Sequence, residues 1–118
     1  MSRDAPVTVI ETPEFLSAVR SFLDSDERAA LVDYLATNPA AGDLIKGTGG
    51  VRKLRWALRG GGKRGGARVI YFHHNATLPL FLLTAYAKNV RADLSEADRN
   101  DFRRLTKLLV ENYRRGKK

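Results

Sequence analysis

The sequence predicts a small single-domain α+β protein spanning residues 1–118, with elements in the order β-α-α-β-β-β-α. Three observations predict it. Val51 to Lys88 reads VRKLRWALRGGGKRGGARVIYFHHNATLPLFLLTAYAK, three apolar-rich runs separated by Gly60–Gly66 and by His74–Thr77; that is the pattern of a three-stranded antiparallel meander. Apolar residues recur at helical spacing twice before this stretch and once after it. Charge is also segregated. Residues 1–43 hold eight acids and three bases, whereas residues 44–92 hold ten bases and no Asp or Glu across 49 positions. The formal net charge of +8 is therefore concentrated on the predicted sheet, which suits a polyanionic ligand better than a merely solvated surface, where signs mix.

Taken in order, Pro6–Glu11 (PVTVIE) reads as a short strand. Thr12-Pro13 supplies an N-cap and a proline at the first helical position, and Phe15, Val19, Phe22 and Leu23 extend a helix over roughly 13–24. Ser25 caps a second helix, with Asp26 and Glu27 at its positive end and Leu31, Val32, Leu35 and Ala36 as its apolar stripe. Asn38-Pro39 stops it. The two form a helical hairpin that carries most of the acidic charge. Ala40–Gly50 reads as a loop.

In the first meander run, Lys53, Arg55 and Ala57 share one face, and Leu54, Trp56 and Leu58 share the other. Leu80-Phe81-Leu82-Leu83 is almost wholly apolar, so the third strand is expected to be central and buried on both faces, with the first strand of the chain beside it. Ser95 and Asp98 resemble a capping box, and Phe102, Leu105, Leu108 and Leu109 give one apolar face to a helix over about 96–113. Arg114–Lys118 is a basic tail. The expected architecture places the helices against one face of a small antiparallel sheet, between an N-terminal helical hairpin and a C-terminal helix.

Several chemistries are excluded or weak. No cysteine is present, so disulfides, thiolate metal sites and cysteine nucleophiles are out. Gly60, Gly62 and Gly65 satisfy G-x-G-x-x-G, but a strand rather than a helix follows, so a hairpin tip is the better reading than a dinucleotide site. Lys63 is followed by Arg64 where a phosphate-binding P-loop needs Ser or Thr. His73 and His74 face opposite ways on a strand, so one half-buried and one exposed histidine is expected rather than a metal pair. Tyr71 and Phe72 are expected to split between core and surface. Trp56 shares a face with Leu54 and Leu58 and is expected to pack in the core. Tyr86, next to Lys88, is the better candidate for stacking or proton transfer. No secretory signal or membrane span is visible, so a cytoplasmic protein without metal or cofactor is expected.

Arg68 begins the second run and Lys88 ends the third, so a meander can draw both toward Lys53 and Arg55. These four form the candidate polyanion-binding site, with Arg52, Lys63, Arg64, Tyr86, Asn89 and Arg91 as further candidates around it.

The residues also resemble a known family. Glu11-Thr12-Pro13-Glu14-Phe15, Asn38-Pro39-Ala40-Ala41-Gly42-Asp43, Gly47–Trp56, Lys63–Tyr71 and Leu83–Asn89, with Leu94-Ser95 beginning the last helix, resemble the RelE/ParE superfamily of bacterial toxins, most closely its HigB-like, RelE-type branch. The resemblance implies a RelE-like fold and a toxin of a type II toxin–antitoxin system. It further implies a metal-independent, ribosome-dependent endoribonuclease that cleaves mRNA and inhibits translation. The same resemblance implies that Lys53, Arg55, Arg68 and Lys88 are catalytic and that the candidates around them are RNA contacts. The implied partners are the ribosome, mRNA and a cognate antitoxin, here expected to be a helix-turn-helix protein. By position, Lys53 and Arg55 look like the paired basic residues of the family's strand and Arg68 like the arginine that opens the next. Asn89 stands about where RelE itself has an arginine, with Lys88, Arg91 or Tyr86 as substitutes. A ParE-like gyrase inhibitor and a non-catalytic RNA-binding module are the alternatives; the paired cations favour the nuclease.

Overall fold

The computed structural model describes residues 5–58, 66–88 and 93–116, with side chains up to Tyr113. Its elements are β1 (Val9–Glu11), α1 (Pro13–Val19), α2 (Ser25–Thr37), β2 (Asp43–Leu44), β3 (Val51–Trp56), β4 (Ala67–Phe72), β5 (Leu80–Ala87) and α3 (Glu96–Gly116). The class is α+β, as the sequence predicts. The sheet has five strands in the order β1-β5-β4-β3-β2. β3, β4 and β5 form the expected antiparallel meander, while β1 lies beside β5 and runs parallel to it, so the sheet is mixed rather than wholly antiparallel.

Local signals account for the helix boundaries. The Thr12 hydroxyl accepts from Phe15 N at 3.2 Å and donates to the Leu82 carbonyl at 2.7 Å, so one side chain both starts α1 and ties it to β5. α1 ends at Val19, short of the expected 24. The second helix is capped by Asp24 rather than Ser25, through a reciprocal box in which Asp24 accepts from Glu27 N (2.8 Å) and Glu27 accepts from Asp24 N (3.0 Å). The Ser95–Asp98 box is present as expected, with both bonds at 3.0 Å.

The helices cover both faces of the sheet, not one. Phe15, Val19, Leu31 and Leu35 from α1 and α2 pack on Leu54, Val69, Tyr71, Leu80, Leu82 and Ala85. Phe102, Leu109, Val110 and Tyr113 from α3 pack on Val51, Ile70, Phe72, Phe81 and Leu83. The expected split of Tyr71 and Phe72 between core and surface therefore fails: both are fully buried, because each face of β4 has a helical cover. Burying such side chains contributes about 1.5–3 kcal/mol each.

The strand pairing contains one irregularity with large consequences. Tyr71 stands opposite Leu82 and Ile70 opposite Thr84, so β5 carries one extra residue, Leu83, relative to β4. Leu80 and Leu82 face the helical hairpin, and simple alternation would send Tyr86 and Lys88 the same way. After the extra residue it is Ala85 that faces the hairpin, and Tyr86 faces α3.

His73 is half-buried and His74 exposed, as expected. The Nδ1 of His73 is buried without a hydrogen-bond partner among the described residues. Burial holds its pKa below the usual histidine value, and the nearby Arg52 and His74 add to the effect. Among the described residues no helix is long and apolar enough to cross a membrane.

A depressed histidine pKa means that the unfolded chain takes up the proton more readily than the folded one. The stabilisation is present above the ordinary histidine value and is lost as pH falls through the folded value. The melting temperature is therefore expected to drop as pH falls below the ordinary histidine value of about 6.5, and His73→Gln should flatten that drop; an unchanged pH profile in the variant would contradict it.

Candidate polyanion-binding site

α3 packs on its sheet face through Val51, Ile70, Phe72, Phe81, Leu83 and Tyr86. The same face carries the cations. Arg55 stands directly opposite Arg68 in the β3–β4 register, and Arg68 directly opposite Tyr86 in the β4–β5 register, so all three point to one side. Lys53, two residues from Arg55, shares that side. A pocket of about 510 Å³ there is lined by Ala41, Asp43, Lys53, Leu54, Arg55, Arg68 and Lys88. The four candidate catalytic cations thus meet in one depression.

Their placement is electrostatically unfavourable by itself. Like charges directly opposite on neighbouring strands destabilise a sheet, and the Arg68 residue is only 6% exposed. Its Nη1 donates a long bond, 3.4 Å, to the Ala67 carbonyl. Such a cluster suits an anion with several negative oxygens, since guanidinium groups can clamp phosphate bidentately. The acidic residues of α1 and α2, among them Glu14, Asp26 and Asp33, belong to the layer on the opposite face of the sheet. The molecule is polarised, with a field that draws a polyanion toward the pocket.

The 39–43 segment makes one wall. The sequence predicts a plain loop over Ala40–Gly50, but Asp43 and Leu44 form the short edge strand β2, with Asp43 opposite Lys53. The wall is clamped from below. The buried Tyr71 hydroxyl donates to the Pro39 carbonyl at 2.9 Å and accepts from Gly42 N at 2.8 Å. Arg52 Nη1 donates to the carbonyls of Gly42 (2.7 Å) and Ala40 (3.2 Å). Gly42 passes so close that a Cβ there would sit 2.9 Å from the Lys53 carbonyl oxygen and 3.0 Å from Tyr71 Cε1. This explains physically why the Asn38–Asp43 stretch has glycine at this position.

The remaining sequence candidates divide. Arg52 does not join the cluster: strand alternation puts it on the face of Leu54, and its guanidinium holds the wall segment from behind. Tyr86 is on the correct face but only 7% exposed, within the cluster beneath α3, so it is not open to stack on a base. Trp56 packs against the hairpin, 5.6 Å from the Tyr34 ring, as expected. Lys63, Arg64, Asn89 and Arg91 lie outside the described residues.

Sequence reasoning missed the acids. Asp93 Oδ1 accepts from Lys53 Nζ at 3.2 Å and from Leu94 N at 2.8 Å. Those two bonds, the backbone one first, hold its carboxyl below the usual aspartate value. Asp43 and Asp93 are the two acids that bound the acid-free stretch 44–92, and the fold brings both to Lys53. That coincidence of boundaries was the available signal.

The chain from residue 26 to 115 matches the family model described as the RelE toxin of the RelE/RelB toxin–antitoxin system. The chain belongs to the RelE toxin family. Membership agrees with the element order. RelE-family toxins are generally endoribonucleases, and the family implies an antitoxin partner.

Gly42→Ala is expected to destabilise the protein by about 1–3 kcal/mol, because the neighbouring backbone and ring must move to admit the methyl group. Urea denaturation measures it; wild-type stability in the variant would show that the wall is not clamped as described.

Proposed function

We propose that this protein is a ribosome-dependent mRNA interferase: it cleaves translated mRNA without a metal and arrests translation. The observation that carries the reading is the convergence of Lys53, Arg55, Arg68 and Lys88 on one pocket. Cleavage of this kind can use the substrate's own 2′-hydroxyl. Its oxygen attacks the adjacent phosphorus, the bond to the 5′-oxygen breaks, and a cyclic phosphate and a 5′-hydroxyl result. The reaction needs a base for the 2′ proton, a proton donor for the leaving oxygen and fixed positive charge around the phosphorane.

The residues divide accordingly. Arginine does not readily deprotonate, so Arg55 and Arg68 serve as phosphate clamps across the β3–β4 pair. A lysine, Lys53 or Lys88, takes the 2′ proton. The pocket holds no histidine to serve as an acid/base group. A nuclease so equipped gains from a substrate already held in an in-line geometry, and orientation alone can be worth several orders of magnitude. The decoding site of the ribosome offers that orientation. The cytoplasm is then its place of action, and a cognate antitoxin, a small helix-turn-helix protein, its inhibitor.

Mapping mRNA 5′ ends after induced expression tests this reading. New ends are expected inside coding sequences, and a message whose start codon is destroyed should stay intact. Arg68→Lys keeps the charge but loses the fork, and is expected to lower the cleavage rate on programmed ribosomes by about 10²–10³-fold with an unchanged circular dichroism spectrum. Intact mRNA accompanied by a DNA-damage response would instead indicate a gyrase inhibitor and overturn the proposal.

A further inference from the structure

Lys53, a cation of the pocket, is paired with a carboxylate. Its Nζ lies 3.2 Å from Asp93 Oδ1, with the two side chains 30% and 55% exposed. That same oxygen accepts from Leu94 N at 2.8 Å. Leu94 is 5% exposed and belongs to the cluster beneath α3, and Ser95 caps the helix that follows. The carboxylate is therefore pinned to the start of α3. An exposed ion pair contributes little to stability, so structural support is a weak reason for the arrangement. Placement is a stronger one. A free lysine ammonium on four methylenes samples many positions, whereas one bonded to a fixed carboxylate has a defined site beside Arg55.

We propose that Asp93 is a positioning residue: it holds Lys53 as a fixed cation at the phosphate site, and so leaves Lys88 as the lysine that accepts the 2′ proton. The inference rests on the nuclease reading above. Lys53 Nζ already donates to Asp93 Oδ1, which fits the role of a cation held in one place. Lys88 lines the same pocket, and its backbone N–H donates to the Gly66 carbonyl at 3.0 Å, which fixes the chain just past β5.

The test is a double-mutant cycle, read as single-turnover mRNA cleavage on programmed ribosomes with the full-length toxin. Asp93→Asn keeps an acceptor for Leu94 N but removes the charge. It is expected to lower the maximal rate by about ten- to a hundred-fold while the toxin concentration at half-saturation stays unchanged. Asp93→Glu should recover much of the loss. With Lys53→Ala already present, Asp93→Asn should cost nothing more. A wild-type rate in Asp93→Asn, or an equal loss with and without Lys53, would overturn the positioning role alone. If the wild-type protein cuts no mRNA on ribosomes, the nuclease reading falls and this role with it.

Discussion

One extra residue in β5 decides where the chemistry can be. Leu83 is inserted between the partners of Tyr71 and Ile70, and it shifts the side-chain alternation of the strand by one. Before it, the even-numbered residues Leu80 and Leu82 feed the core beneath the helical hairpin. After it, Tyr86 faces the other way, and Lys88 reaches the pocket that Arg55 and Arg68 line. A regular strand would bury the same apolar residues but would send Lys88 toward the hairpin. The bulge thus lets one strand serve a core on both faces and still deliver a cation to the pocket.

The rest of the site follows from how α3 covers that face. The helix packs on the sheet near Val51, Phe72 and Phe81, and among the described residues none of α3 lines the pocket of Arg55 and Arg68. Its docking is specific. Thr106 donates to the Thr48 carbonyl at 3.1 Å, and Gly49, with φ +80°, leaves no room for a Cβ beside the Thr106 hydroxyl. The glycine-rich turn before β3 therefore fixes α3, and α3 fixes Asp93 just ahead of it. The wall is held by the buried Tyr71 hydroxyl, and the acid at the rim by the backbone N–H of Leu94. Rigid support of this kind is what positioning a phosphate requires.

Much of this was legible in the sequence. Period-two alternation placed Lys53 and Arg55 on the face opposite Leu54 and Trp56, and the apolar third run implied a strand with neighbours on both sides. The Thr12-Pro13 start and the Ser95–Asp98 box stood in the text of the chain. The same alternation, applied one residue earlier, puts Arg52 on the far face, where it braces the wall instead of meeting a ligand. Other features had no local signal. β2 has two residues, too few to show a period. A bulge in an almost wholly apolar run leaves no mark, because either parity buries a hydrophobic residue. The second helical layer was half-visible: Val69-Ile70-Tyr71-Phe72 is as uniformly apolar as the third run, and asks for cover on both faces. Asp93 lies forty residues from Lys53, and its only mark in the sequence was its place at the end of the acid-free stretch.

The central claim is that these fixed cations act on one phosphate backbone together, and the salt dependence of binding tests it most directly. The affinity for a short single-stranded oligoribonucleotide should fall linearly with salt on logarithmic axes. The slope should shrink by about 0.7 for each pocket cation removed, in Arg55→Ala and again in Arg55→Ala/Lys88→Ala. Arg20→Ala, an exposed cation at the end of α1, should leave the slope unchanged. Equal slopes in all four proteins, or the same decrease from Arg20, would contradict the account.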